Sequence, residues 1–197
     1  MSNSFKTILK IVGETGEVEK CFNDIIIDEE FDFNFIQQKP KELDGTGYPS
    51  KPMEDSKYDK LSDLLQKLNV SETKSKELIS KFGSDNWHDW SIDKWGTSRS
   101  PYYIDCYDFV DKVSFKTDDS FPEEALNKLS LIYPNLTFEC EYSSEVIGEY
   151  CGEISFKNGE VIHFKNQEEN YLFSCMTYYE EEGEDIYKEM VLDGDFD

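Results

Sequence analysis

Arginine is almost absent from this chain of 197 residues: Arg99 is the only one. Its planar fork is the side chain best suited to bidentate phosphate contacts, so a direct reader of nucleic acid is disfavoured by chemistry alone. Charge points the same way. There are 43 Asp and Glu against 20 Lys and Arg, a net charge of −23. A field of that sign repels nucleic acid and anionic membrane and attracts basic surfaces. Histidine occurs twice, at His88 and His163. Cys21, Cys106, Cys140, Cys151 and Cys175 form no CxxC pair. That spacing argues against zinc held by paired thiolates, and buried free thiols in a reducing cytoplasm are the expected state. No glycine-rich phosphate loop is present. The N-terminus has no apolar signal core, and no run approaches the ~20 apolar residues that span a bilayer. A soluble, cytoplasmic protein with no membrane partner is expected.

Aromatic residues are not scarce. They make up 15% of the chain, with 14 Phe and 12 Tyr. Disordered acidic chains are poor in aromatics, so this one is expected to fold. The charge is also uneven. Residues 1–100 hold 19 acids and 14 bases, whereas residues 101–197 hold 24 acids and 6 bases. The balance is −5 in the first half and −18 in the second.

Phe5 to Val12 reads as a strand closed by Gly13. Val18, Cys21, Phe22, Ile25 and Ile26 then recur at helical spacing. Phe31, Phe33 and Phe35 alternate with polar residues in a short extended piece. Three prolines and two glycines between residues 37 and 56 predict a long irregular connection. Leu61, Leu64, Leu65 and Leu68 predict one helix, and Leu78, Ile79 and Phe82 a second, restarting near Ser71 and ending at Gly83. All three tryptophans, Trp87, Trp90 and Trp95, fall in a short helical segment between Asn86 and Gly96.

From Tyr102 the period changes to two. Strands are predicted over Tyr102 to Tyr107 and Lys112 to Lys116. A helix is expected from Ser120, with Glu123 completing a capping box, and Pro134 stops it. Leu136, Phe138, Cys140 and Tyr142 share one face of the next strand, with Glu139 and Glu141 on the other. Residues 148–156 and 160–165 predict a hairpin around Asn158-Gly159. The layout is α+β: a ferredoxin-like split βαβ sheet with helices on one face. It divides into a domain at 1–166, with a helical insertion at about 40–100, and an acidic C-terminal extension at 167–197.

Three stretches carry a family pattern. Phe31 through Pro40 to Leu43, Asn86-Trp87-His88-Asp89-Trp90 through Trp95-Gly96-Thr97, and Ser120 through Tyr133-Pro134 to Tyr142 together resemble the YubB ferredoxin-like family of phages, plasmids and other mobile elements. The tryptophan segment is the most specific of the three. The resemblance implies a ferredoxin-like core and a mobile-element origin, hence a host-cell cytoplasm; it brings no activity with it.

Chemistry is sparse. His88 can be oriented by Asp89 or Asp85, but no cysteine stands at a spacing that would pair with it. The carboxylate runs lack the regular oxygen pattern of a calcium loop. An enzyme is not expected, nor is any metal or cofactor. Glu139 and Glu141, two residues apart on a strand, put carboxylates about 6.6 Å apart, close to the roughly 6–7 Å between successive phosphates. Glu149 and Glu153 are expected to continue that row. With Glu180, Glu181, Glu182, Glu184 and Asp185 they form an acidic surface suited to a basic nucleic-acid-binding protein of the host. The expected function is therefore inhibition of a host defence nuclease, restriction or CRISPR-type, by nucleic-acid mimicry. Trp87, Trp90, Trp95, Tyr103 and Tyr107 are the candidate apolar anchor. The alternative is a binding module that sequesters a partner protein or small ligand through that aromatic segment.

Overall fold

A computed structural model describes residues 3–46, 72–107 and 111–194. The helix expected over Leu61 to Leu68 lies outside the described residues.

β1 (Ser4–Val12) leads into α1 (Thr15–Ile25), whose start is fixed by the Glu14 carboxylate accepting from the Gly16 and Glu17 amides at 3.0 and 3.2 Å. A carboxylate there satisfies donors that have no partner inside the helix. A two-residue hairpin follows, β2 (Ile26–Ile27) and β3 (Glu30–Phe31). The extended piece is thus shorter than the Phe31-Phe33-Phe35 alternation predicts. Phe31 and Phe33 are buried, whereas Phe35 is 43% exposed. Next come α2 (Glu72–Phe82) and α3 (Trp87–Trp95). Asn86 caps α3, accepting from the Asp89 amide at 2.8 Å, and Gly96 ends it in the left-handed region at φ 81.

β4 (Tyr102–Cys106) and β5 (Lys112–Asp118) precede α4 (Glu123–Ile132), β6 (Thr137–Ser144), β7 (Gly152–Lys157) and β8 (Glu160–Asn166). The chain closes with α5 (Tyr171–Tyr179), one 3-10 turn at Glu180–Glu182, and α6 (Gly183–Asp193). α4 begins at Glu123 with no side-chain cap, because Ser120 donates its hydroxyl to the Gly96 carbonyl instead. A tertiary partner has displaced the predicted capping box. Asn158 and Gly159, at φ 49 and φ 77, form the β7–β8 turn as expected.

The six long strands are ordered β4-β5-β1-β6-β7-β8, and every neighbouring pair is antiparallel. β1 and β4 are therefore parallel with β5 between them, and β5 and β6 are parallel with β1 between them. Two interleaved split βαβ units of this kind are the ferredoxin-like arrangement, and β7–β8 extends it at one edge. The fold is α+β with a mostly antiparallel sheet, as the sequence predicts.

Strand alternation sorts the two faces. Leu9, Ile11, Val113, Phe115, Phe138, Ile154 and Phe156 form a continuous core with Val18, Phe22 and Ile25 of α1 and Ala125, Leu126 and Leu129 of α4. β3 and the residues after it join the core, Phe31 meeting Phe115 edge-on at 5.3 Å, and Phe33 ties the inserted segment to it by meeting Trp95 at 6.1 Å. The acidic C-terminal extension is folded. α5 packs on β1 and β6 on the opposite face, with Ser174 hydrogen-bonded to Ser143 at 2.6 Å. α5 and α6 meet so closely at Gly183 that a Cβ there would clash with the Cys175 carbonyl and lie 2.6 Å from the Met176 Cα.

Candidate functional site

The C-terminal helices cover only part of the second face. Around Lys10 and Glu139 it stays open, as a concavity of about 800 Å³ lined by Ile8, Lys10, Asp111, Glu139, Glu141, Glu153, Ser155 and His163, among others. Register fixes how its charges lie. One row across the strands reads Lys112, Lys10, Glu139, Ser155, His163, and the next reads Ser114, Ile8, Glu141, Glu153, Lys165. Glu139 and Glu141 are exposed and lie on the face away from the core, as their alternation with Phe138 and Cys140 predicts.

Glu153 completes a carboxylate triangle with them. It is not free: Gln167 donates to it at 3.2 Å, Lys165 Nζ lies 3.6 Å away and His163 Nε2 3.8 Å away. The acidic patch is therefore narrow, with lysines on one side and Lys165 and His163 on the other. Glu149 does not continue the row, because β7 starts only at Gly152 and Glu149 sits in the preceding loop. Hydrogen bonds from the Ser144 hydroxyl to the Val146 and Glu149 carbonyls hold that loop.

The C-terminal acids divide in two. Glu181, Glu182, Glu184 and Asp185 are exposed, and Lys188 pairs with Glu184 at 2.8 Å and Asp185 at 3.3 Å. Glu180 turns inward, at φ 53. Its carboxylate pairs with Lys6, whose side chain is only 9% exposed, and accepts from the Tyr107 hydroxyl and from Ser114 at 3.0 Å. Glu180 is thus a pin between the C-terminal turn and the sheet, 22% exposed, with its charge matched by Lys6. Tyr107 belongs to the same pin, with Lys112 Nζ 4.2 Å above its ring.

The aromatic segment is mostly core. Trp90 and Trp95 are each 3% exposed and meet edge-on at 5.4 Å, and the Trp95 indole donates to the Gln37 carbonyl at 3.0 Å. Trp87 is half-buried against them. Tyr103, 77% exposed, is the member of the expected anchor that faces solvent.

The Cys140 and Cys21 thiols are poorly placed for nucleophilic chemistry. Cys140 is buried, and burial together with Glu139 pushes its thiol far up; burial pushes Cys21 up to about 12. Thiols held protonated in this way are unreactive. Cys106 is exposed, and its thiol is raised by partial desolvation and by Asp105. Among the described residues no group of three or more metal-ligating side chains occurs, and no helix is long and apolar enough to cross a membrane.

Acid titration should show two regimes. The Asp24 carboxyl is held low by hydrogen bonds from Lys20 and then Tyr133, and Glu42 by Lys81. Depressed carboxyls contribute stability above their unfolded values that is lost as pH falls through their folded ones. Glu123 is the opposite case, raised by burial and by Glu124. A raised carboxyl takes up its proton first in the folded state, so stability grows as pH falls through that range. Thermal midpoints are expected to climb from neutrality towards about pH 5, as Glu123 protonates and self-repulsion eases, and to fall below about pH 4. A midpoint that only declines from pH 7 downward would contradict this.

The matched segment extends from within β4 to within α6. Residues 103–190 match the family model described as the ferredoxin-like domain in Api92-like protein. That is somewhat under half of the chain. The family named is the Api92-like one and not YubB, and the tryptophan segment lies outside the match. A crystal structure of a protein Api92 from Yersinia pseudotuberculosis aligns over 84% of this chain and 98% of its own, at 10% identity and a TM-score of 0.41. No curated protein sequence matches the chain.

Proposed function

We propose that this chain is a non-enzymatic inhibitor that presents carboxylates to the basic, nucleic-acid-binding groove of a host defence nuclease of the restriction or CRISPR class. The observation that supports this best is the exposed Glu139–Glu141 pair, held at strand spacing on β6 with Glu153 opposite Glu141 on β7. A sheet holds such charges without the ordering cost that a flexible acidic tail would incur on binding. The outward acids at 181, 182, 184 and 185 follow directly on Glu180, which is pinned to that same face. The near-absence of arginine and the net charge of −23 fit a protein whose partner, and not itself, grips nucleic acid. A phage or mobile-element origin, and so action in host cytoplasm, rests on the sequence resemblance of residues 31–43, 86–97 and 120–142 to the YubB pattern alone.

Sequestration of a partner or small ligand through the aromatic segment is the weaker reading, because Trp90 and Trp95 are committed to the core and leave Tyr103 as the exposed ring.

The test is charge reversal on β6. Both glutamates are exposed, so Glu139→Lys with Glu141→Lys should fold. Its association with a nuclease captured from host lysate should slow by about 10-fold or more, since steering supplies roughly 10–10³ in rate. Association and inhibition at wild-type levels would show that this face is not the contact.

A further inference from the structure

On the opposite face of the sheet lies a second concavity, of about 290 Å³. Its position follows from alternation: Tyr142 lines it while Glu139 and Glu141 line the first, and Phe5 lines it while Ile8 and Lys10 line the first. It opens between the start of α4, the β6–β7 loop and the end of β8. Such a volume equals about ten water molecules, the scale of one long side chain.

Its walls are aromatic. Phe121 stacks on Tyr142 with ring centroids 4.5 Å apart at 26°. Phe5, Tyr150 and Phe164 add further rings to the lining, and Tyr150 and Phe164 are 59% and 60% exposed. Gly152 gives the phenol of Tyr142 its room: a Cβ there would lie 2.9 Å from both the Tyr142 hydroxyl and the Lys165 carbonyl oxygen. Two carboxylates share the lining, Glu123 and Glu168. Both act on the Tyr142 hydroxyl, raising it further after burial. Glu168 is held in place by Asn166, which donates to its carboxylate at 3.0 Å. Among the described residues no lysine or arginine lines the pocket.

Aromatic faces and carboxylates around a side-chain-sized space select a cation. We propose that this pocket binds a guanidinium, the arginine side chain of a partner protein, laid against the Phe121–Tyr142 platform with Glu123 and Glu168 as its counter-charges. A planar, weakly hydrated guanidinium suits a flat aromatic wall better than a compact ammonium does. The site is independent of the Glu139–Glu141 face, so either can fail without the other.

The experiment is an NMR titration of the full chain with N-acetyl-arginine amide and, separately, its neutral isostere N-acetyl-citrulline amide, following ring resonances of Phe121, Tyr142, Tyr150 and Phe164. Arginine amide should bind with shifts confined to those rings. Glu168→Gln and Tyr150→Ala, both at exposed positions, should each weaken it by about fivefold, within the range of a single cation–π or charge contact. Citrulline amide should not bind. Equal binding of citrulline, shifts spread over Glu184 and Asp185 as over the pocket, or unaltered affinity in both variants would overturn the proposal.

Discussion

Replacing Glu180 with alanine should lower stability by about 3–5 kcal/mol, the usual cost of removing one partner from a buried ion pair. Lys6 is the reason. Its ammonium lies on the sheet beneath the C-terminal turn, with Lys116 and Ser143 as its cross-strand neighbours. Lys116 caps the Tyr178 ring at 4.2 Å and supplies no counter-charge. Without Glu180 the Lys6 charge would stay buried and unpaired, and the Ser114 and Tyr107 hydroxyls would lose their acceptor. The control separates charge from packing. Lys6→Met combined with Glu180→Leu removes both charges and keeps apolar volume, and should recover most of the loss. Urea unfolding followed by circular dichroism measures both. A Glu180→Ala midpoint close to wild type would mean that the C-terminal turn is not pinned to the sheet.

Trp90→Ala should cost about as much, roughly 3–5 kcal/mol for a large buried aromatic. The ring lies within the core cluster against Trp95, at the junction of the inserted segment and α4. Trp90→Phe keeps most of the apolar area and should lose clearly less. If the tryptophans were instead a contact surface, Trp90→Ala would leave the unfolding midpoint unchanged and weaken only partner binding. The two accounts therefore predict opposite readouts from one variant.

Much of the framework was legible because local pattern and tertiary demand agree. Val18, Cys21, Phe22 and Ile25 recur at helical spacing, and all four are buried. Phe138 and Cys140 alternate with Glu139 and Glu141, and the sheet puts the first pair inside and the second pair out. Asn158-Gly159 marks a hairpin because both positions need positive φ, and both have it. The misreadings arise where a distant partner decides. Ser120 satisfies the signature of a helix cap, yet its hydroxyl goes to Gly96, 24 residues back. Glu180 is one of three consecutive glutamates, and nothing local marks it as the partner of Lys6. A run of like charge reads as a solvated surface, and only the fold shows which member turns inward. Glu149 falls in a strand expected from residue 148, but β7 starts only at Gly152 and the Ser144 hydroxyl holds the preceding stretch as a loop. The candidate face shows the same limit. Glu139 and Glu141 are readable from β6 alone, whereas Glu153 of β7 and the lysines and histidine of β1, β5 and β8 meet them only through register.

The central claim is competition for a basic groove. Its most direct measurement is displacement of a labelled duplex from the nuclease captured with this chain, at about 50 mM and about 200 mM salt, a range over which phosphate-type contacts weaken steeply. The chain should displace the duplex at low salt, lose at least about tenfold in apparent affinity at high salt, and fail to displace it when Glu139 and Glu141 are both lysine. A duplex that stays bound while the chain binds elsewhere, or an affinity that does not change with salt, would contradict the account.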